Sequence, residues 1–306
     1  MASPRVLVVA GTHGNEINAP WLLDQWQQHP DLIDACGLEL VPVIGNPAAR
    51  AQGRRYLDRD LNRSFRPDWL AATTASLDRE GVRAQALVHD YGPEGPERCA
   101  VALDLHSTTA AMGSSLVVYG RRPADLALAA AVQQRLGLPV YLHEADQAQQ
   151  GFLVERWPCG LVIEIGPVPQ MVLASSIVTA TRLCLQACLA VLAEACQNTW
   201  VAPHSLVVHR HLGSMDLPRD HQGRPLACVH PELQGGDWRP LMAGAPLFLT
   251  ADGRVIRYDG PAGRVPVFIN EAAYGEKGIA FSLTEREQWP LDPAASDALT
   301  ALLTTP

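Results

Sequence analysis

At 306 residues, with 47% hydrophobic and 18% charged residues, the chain suits one large domain with a smaller appendage and is too apolar for a disordered protein. Acidic residues exceed Lys plus Arg by 32 to 24, a net charge of −8, and no basic run offers a phosphate-tracking stripe, which argues against nucleic acid as a partner. The longest mostly apolar stretch, Leu183 to Ala193, is interrupted by Gln186 and falls short of a membrane span, and Val6 to Ala10 is too short for a signal-peptide core. No membrane partner is expected, and a cytoplasmic location is.

In chain order, RVLVVA reads as a strand, NAPWLLDQWQQ as a helix, LELVPVI as a strand and SLDREGVRAQALVHDYG as a helix. CAVALDLH and SLVVYG follow as strands, PADLALAAAVQQRLG as a helix, GLVIEIG as a strand, and a long helix runs from about Ala174 to Gln197. Strands alternating with helices predict an α/β layer with a largely parallel sheet, whose ligand site gathers at the carboxyl ends of the strands. From about Val201 the texture changes to short strand-like runs, SLVVHRHLG, LACVHP, APLFLT, GRVIRYDG and VPVFIN, separated by turns. That predicts a β-rich C-terminal domain, with the boundary near Asn198 to Pro203. The seven cysteines are scattered without a CxxC pair, and Cys184 and Cys188 read as small hydrophobes on one helix face.

Three apolar runs end in ionisable residues: VLVVAGTHGNE in His13 and Glu16, VALDLHS in Asp104 and His106, LVIEIG in Glu164. All would share one edge of a parallel sheet. Imidazole and carboxylate are good zinc ligands, and three protein ligands with an open position describe a catalytic site. A His and a Glu three apart also occur by chance in loops; it is the company of His106 and Glu164 at strand ends that makes a site. Asp104 stands where it can orient a ligand. The segment RRYLDRDLNRSF adds Arg54, Arg55, Arg59, Asn62 and Arg63, and a guanidinium suits a carboxylate or an oxyanion.

These motifs, with LDLHSTTAAMG, VIEIGPVPQ, LPRDHQG, HPELQGGDWRPL, LFLTADG and PVFINEAAYGEK, run over nearly the whole chain and resemble the aspartoacylase and aminoacylase-3 family, related in its zinc site to zinc carboxypeptidases. The resemblance implies a mostly parallel mixed sheet flanked by helices, with residues 1–200 as catalytic domain and 201–306 as a β-rich domain that narrows the entrance. It implies one zinc per chain held by His13, Glu16 and His106, and Glu164 as the base that activates the attacking water. Arg55 would polarise the scissile carbonyl, Asn62 and Arg63 would grip the substrate's α-carboxylate, and Tyr274 would close the site. The implied reaction is hydrolysis of an N-acyl-L-amino acid, by family default N-acetyl-L-aspartate to L-aspartate and acetate; a homo-oligomer is compatible with it.

At one place the chain departs from the family. Aspartoacylases hold the substrate's side-chain carboxylate with an Arg assisted by a Lys, and the Arg position is occupied by Phe152, with Arg156 the nearest substitute. YGEKG offers Lys277 alone where the family often has adjacent lysines. An unpaired carboxylate in a pocket is costly, so weakened acidic selectivity is expected, with neutral or aromatic N-acyl amino acids as the alternative substrates. Other readings are a carboxylate-binding protein without turnover, for which Glu164 would be superfluous, and a carboxypeptidase-like peptidase. The chain has no G-x-S-x-G elbow, and GTHGNE is neither a dinucleotide fingerprint nor a Walker loop. His209 and His211 read as surface or interface histidines.

Overall fold

The computed structural model describes residues 4–144, 146 and 149–304. The first part of the chain forms β1 (Arg5–Ala10), α1 (Asn18–Gln28), β2 (Glu39–Ile44), α2 (Pro47–Ala51), α3 (Pro67–Leu70) and α4 (Arg79–Tyr91). It continues through β3 (Val101–Ser107), β4 (Ser114–Tyr119), α5 (Pro123–Leu136), β5 (Val140–His143), β6 (Cys159–Ile165) and α6 (Ser175–Cys196). Local chemistry sets the helix ends: Asp78 stays outside α4 because its carboxylate caps the Gly81 N–H at 2.9 Å, and α5 stops at Gly137, which takes φ +68°.

β1 lies parallel between β2 and β3, and β6 runs parallel on the far side of β3. Both faces of these strands are covered. Val6, Val8 and Ala10 pack with α1, α5 and α6 on one face, while Leu7 and Val9 pack with Leu87 of α4, Phe65 and Trp157 on the other. This two-sided burial is why the runs read as continuous apolar segments rather than alternating ones. By length and composition α6 could span a bilayer, more than its interrupted apolar stretch suggests, but half of its most apolar window is buried inside the protein.

The C-terminal part adds β7 (Ser205–Met215), β8 (Ala227–Val229), β9 (Pro246–Thr250), β10 (Val255–Arg257), β11 (Val265–Val267), β12 (Phe281–Pro290) and α7 (Pro293–Thr304). Its strands divide. β7 pairs parallel with β5, β12 runs antiparallel along β7, and β11 forms the edge, so the large sheet has the order β11-β12-β7-β5-β4-β6-β3-β1-β2. β8, β9 and β10 form a separate three-stranded sheet over a core that includes Leu247, Phe248, Ile269 and Phe281. α7 returns to the first half, burying Leu299 and Leu303 in the same core as α5 and α6.

The arrangement brings the carboxyl ends of β1, β3 and β6 side by side. In the β3–β6 register His106 lies opposite Glu164, and in the β1–β3 register Ala10 lies opposite Leu105. The loop after β1 therefore emerges beside His106.

Candidate metal centre and active site

The loop after β1 is shaped by its glycines. Gly11 has φ +67°, and a Cβ on it would meet Pro20 at 2.9 Å; a Cβ on Gly14 would lie 2.3 Å from the backbone of Ala49 and Arg50. This close approach lets the Gly14 N–H donate to the Arg55 carbonyl at 3.1 Å, seating the GTHGNE loop against the arginine-rich segment.

His13, Glu16 and His106 are all buried, and their ligand atoms lie within 4.8 Å of one another. His13 Nδ1 is 2.6 Å from Glu16 Oε1 and His106 Nδ1 is 3.1 Å from Glu16 Oε2. Each ring has a carboxylate behind it: Asp60 Oδ1 at 3.0 Å from His13 Nε2, and Asp104 Oδ2 at 2.7 Å from His106 Nε2. For both rings to present Nδ1 lone pairs to a cation, Nε2 must hold the proton; Asp104 is the acceptor that keeps it there on His106, while His13 Nε2 lies between Asp60 and Arg55 Nη2, the latter 2.8 Å away. Thr12 Oγ1 donates to the other Asp104 oxygen at 2.7 Å. Burial would raise the Glu16 carboxyl, but His13 and His106 hold it well below the usual range. His106 is held well above the usual imidazole range because Asp104 and Glu16 outweigh its burial.

The arginine-rich segment folds around a buried carboxylate on the first turn of α4. Glu80 accepts from the Leu57, Asp58 and Arg59 N–H groups at 2.7, 3.0 and 3.3 Å. Arg55 reaches the triad itself: Nη1 donates to Glu16 at 3.1 Å, Nη2 to Asp60 at 3.3 Å, and its buried Nε has no partner among the described residues. Asn62 accepts from the Leu153 N–H at 2.8 Å. Arg63 donates to the Asn62 carbonyl at 2.7 Å and to Gln149 at 2.9 Å, with its guanidinium 4.1 Å from the centre of the Phe152 ring. Arg54 is exposed, and Arg59 stacks on Trp69 and pairs with Asp78, away from this group.

Glu164 faces the triad across a cavity of about 60 Å³ that His13, Glu16, Arg55, Asn62, Arg63 and His106 also line. Burial pushes Glu164 up to about 8; His106 and Arg55 oppose this, while Glu16 and Glu271 add to it. Any further cation beside it lowers that value, toward the range where a carboxylate serves as base near neutral pH. Tyr274 lines the cavity from the 3-10 turn Ala272–Lys277 and packs on Phe268 at 5.5 Å between ring centres.

The wall beyond Arg63 is aromatic. Phe152 is buried, stacks on Tyr119 at 3.8 Å and meets His143 edge-on at 5.3 Å. His143 is pushed down to about 4, by burial first and then by His211 and Arg63, so it is neutral near pH 7. Arg156 does not line this cavity; it borders a separate surface hollow. Lys277 sits 3.7 Å from Asp60 and borders an outer basin instead. His209 and His211 are not surface residues: both point inward from β7, His209 against Trp238 and His211 within 2.9 Å of the Tyr141 hydroxyl.

Asp60, Glu80, Gln149 and Glu271 escape the sequence reading. Asp60 stands in the quoted arginine-rich segment, where an acid among arginines passes for a local salt bridge. Glu271 had a signal too, in the NEAAYGEK stretch that carries Tyr274. Its Oε2 accepts from the Thr108 hydroxyl, from Thr109 N and Oγ1 at 2.8 and 2.9 Å and from Ala110 N at 3.1 Å, while Oε1 caps Ala273 N at 3.1 Å. One carboxylate thus ties the loop after His106 to the turn that presents Tyr274.

Residues 2–192 match the family model described as the succinylglutamate desuccinylase/aspartoacylase catalytic domain, and residues 204–286 the AstE/AspA barrel-sandwich hybrid domain. The chain is 62% identical to a probable aspartoacylase of Prochlorococcus marinus (strain MIT 9313) over 99% of both chains. It is 60% identical to one of Parasynechococcus marenigrum (strain WH8102) over 97% of this chain and 98% of that one. Among solved structures it resembles murine aminoacylase 3 at 35% identity, with a TM-score of 0.86 over 95% of this chain and 98% of that one.

Glu271→Ala should strand the N–H groups of Thr109, Ala110 and Ala273. Unfolding in urea should show a loss of roughly 2–4 kcal/mol, the scale for removing a buried, multiply bonded carboxylate. An unchanged midpoint would mean that the clamp carries no load.

Proposed function

We propose that this chain, which belongs to the succinylglutamate desuccinylase/aspartoacylase family, is a zinc-dependent hydrolase of N-acyl-L-amino acids, with N-acetyl-L-aspartate as its default substrate. The observation that carries the reading is the convergence of His13, Glu16 and His106 opposite Glu164, with a carboxylate behind each histidine. The donor set, two imidazole nitrogens and a carboxylate oxygen, fits zinc in a three-ligand site. Bound there, zinc would polarise the amide carbonyl and acidify water.

The chain's own residues supply the rest. Glu164 takes a proton from the attacking water and passes it to the amide nitrogen, so that the amine leaves neutral rather than as an anion. Arg55, a lining residue whose buried Nε–H has no partner among the described residues, contributes positive charge beside the developing oxyanion. Arg63 and Asn62 hold the α-carboxylate. Tyr274, delivered by the part of the chain beyond residue 200, excludes water from the entrance. The side-chain subsite is bounded by Phe152, Tyr119 and Tyr141. That wall has no cation of its own to offer a substrate carboxylate, which supports a second reading in which neutral and aromatic N-acyl amino acids are turned over as well as the aspartate derivative.

Glu164→Gln keeps the volume and removes the proton shuttle. It should lower kcat by at least ~100-fold while zinc content and thermal midpoint stay at the parent values. Retention of most activity would assign the base to another residue.

Comparing kcat/KM across N-acetyl-L-aspartate, N-acetyl-L-glutamate, N-acetyl-L-tyrosine and N-acetyl-L-methionine tests the subsite. Values for the tyrosine and methionine derivatives within about tenfold of the aspartate derivative are expected, a gap of about 1.4 kcal/mol. A preference for aspartate of a thousandfold would require a cation in the subsite. No turnover of any of the four would leave a carboxylate-binding protein.

A further inference from the structure

The inner cavity, at about 60 Å³, is small and is not sealed from its surroundings. Immediately outside it lies a basin of about 1010 Å³ bordered by Arg59, Arg66, Arg210 and Lys277, and a second hollow of about 420 Å³ opens behind Phe152. Arg63 and Gln149 are the two residues that line both the inner cavity and the basin, and Gln149 lines the second hollow as well. These two side chains therefore form the wall shared by the cavity and the basin.

Gln149 is held so that it offers Arg63 an acceptor. Its Nε2 points at Asp146 Oδ2 at 3.4 Å, its backbone N–H donates to the Asp146 carbonyl at 3.2 Å, and its carbonyl lies 3.4 Å from His143 Nε2. With the amide nitrogen turned to Asp146, Oε1 faces the Arg63 guanidinium at 2.9 Å. Arg63 is otherwise fixed by the Asn62 carbonyl and the face of Phe152. The Gln149 contact is neutral on the acceptor side, so a carboxylate arriving from the basin offers Arg63 a stronger, charge-assisted and bidentate partner.

We infer that Gln149 holds Arg63 across the passage between basin and inner cavity, and that a substrate gains entry when its carboxylate replaces the Gln149 amide oxygen on the guanidinium. Gln149 is then a positioning residue that sets the affinity for the carboxylate without touching the scissile bond. The inference rests on reading the cavity as the amide-hydrolysing site.

Equilibrium binding of N-acetyl-L-tyrosine to the full-length Glu164→Gln protein, measured by calorimetry, separates binding from turnover. Adding Gln149→Glu places a carboxylate on Arg63 that competes with the ligand, and Kd should rise at least tenfold. Adding Gln149→Ala removes the competitor, and Kd should fall about two- to fivefold. The opposite signs are the signature of an exchange. If Gln149→Ala weakened binding as Gln149→Glu does, or if neither moved Kd, Gln149 would be a packing residue and the inference would be overturned. Failure of the parent chain to hydrolyse any N-acyl amino acid would sink the functional reading, while the order of the three Kd values would still decide the exchange.

Discussion

The site depends on one buried anion. Glu16 is buried, and such a carboxylate is tolerated because three side chains, His13, His106 and Arg55, stand within 3.1 Å of its two oxygens and the Ser107 N–H donates to it at 3.0 Å. Each of those three is fixed by a different element: His13 by the glycine-shaped loop after β1, His106 by the register of β3 on β6, Arg55 by a segment wrapped around Glu80. Losing any one would leave a buried charge short of a partner, so the strand ends, the loop and the arginine-rich segment are bound into one arrangement. Asp104 extends it outward from His106 Nε2, and Asp60 does so by pairing with both His13 and Arg55.

The C-terminal part is joined to this arrangement both by backbone and by side chains. β7 and β12 prolong the large sheet, which sets the position of the chain that follows them, and Glu271 then bonds directly to the loop after His106. The small inner cavity is a consequence. Tyr274, Phe268 and Ala273 approach from one side, Phe152 and Tyr119 from the other, and little space is left over. The wall on the Phe152 side is aromatic, with the Arg63 guanidinium laid over the Phe152 ring.

The elements of the first two-thirds are legible in the sequence because buried parallel strands are continuous apolar runs and the helices between them are periodic. β5 is missed because four residues, VYLH, are too short to show a pattern. β12 is missed for another reason: its outer half, TEREQWP, has no apolar run, and its charges make sense only once Arg210 of β7 lies opposite to donate to Glu285 and Glu287. The candidate ligands could be read because each follows an apolar run. The residues that support them are harder to read, since Asp60, Glu80, Gln149 and Glu271 act over separations of 21 to 163 positions, and of the four Glu271 alone has a signal, the motif it shares with Tyr274. The inward turn of His209 and His211 was hidden likewise, because which face of β7 is buried depends on Tyr141 and Trp238 from distant segments.

The claim on which the rest stands is that His13, Glu16 and His106 hold a catalytic zinc. Elemental analysis of protein purified without added metal tests it most directly, run on the parent and on a variant carrying His13→Ala together with His106→Ala. The account predicts one zinc per chain in the parent and none above background in the variant. Stoichiometric zinc in the variant, or a fully active parent with no zinc, would contradict it.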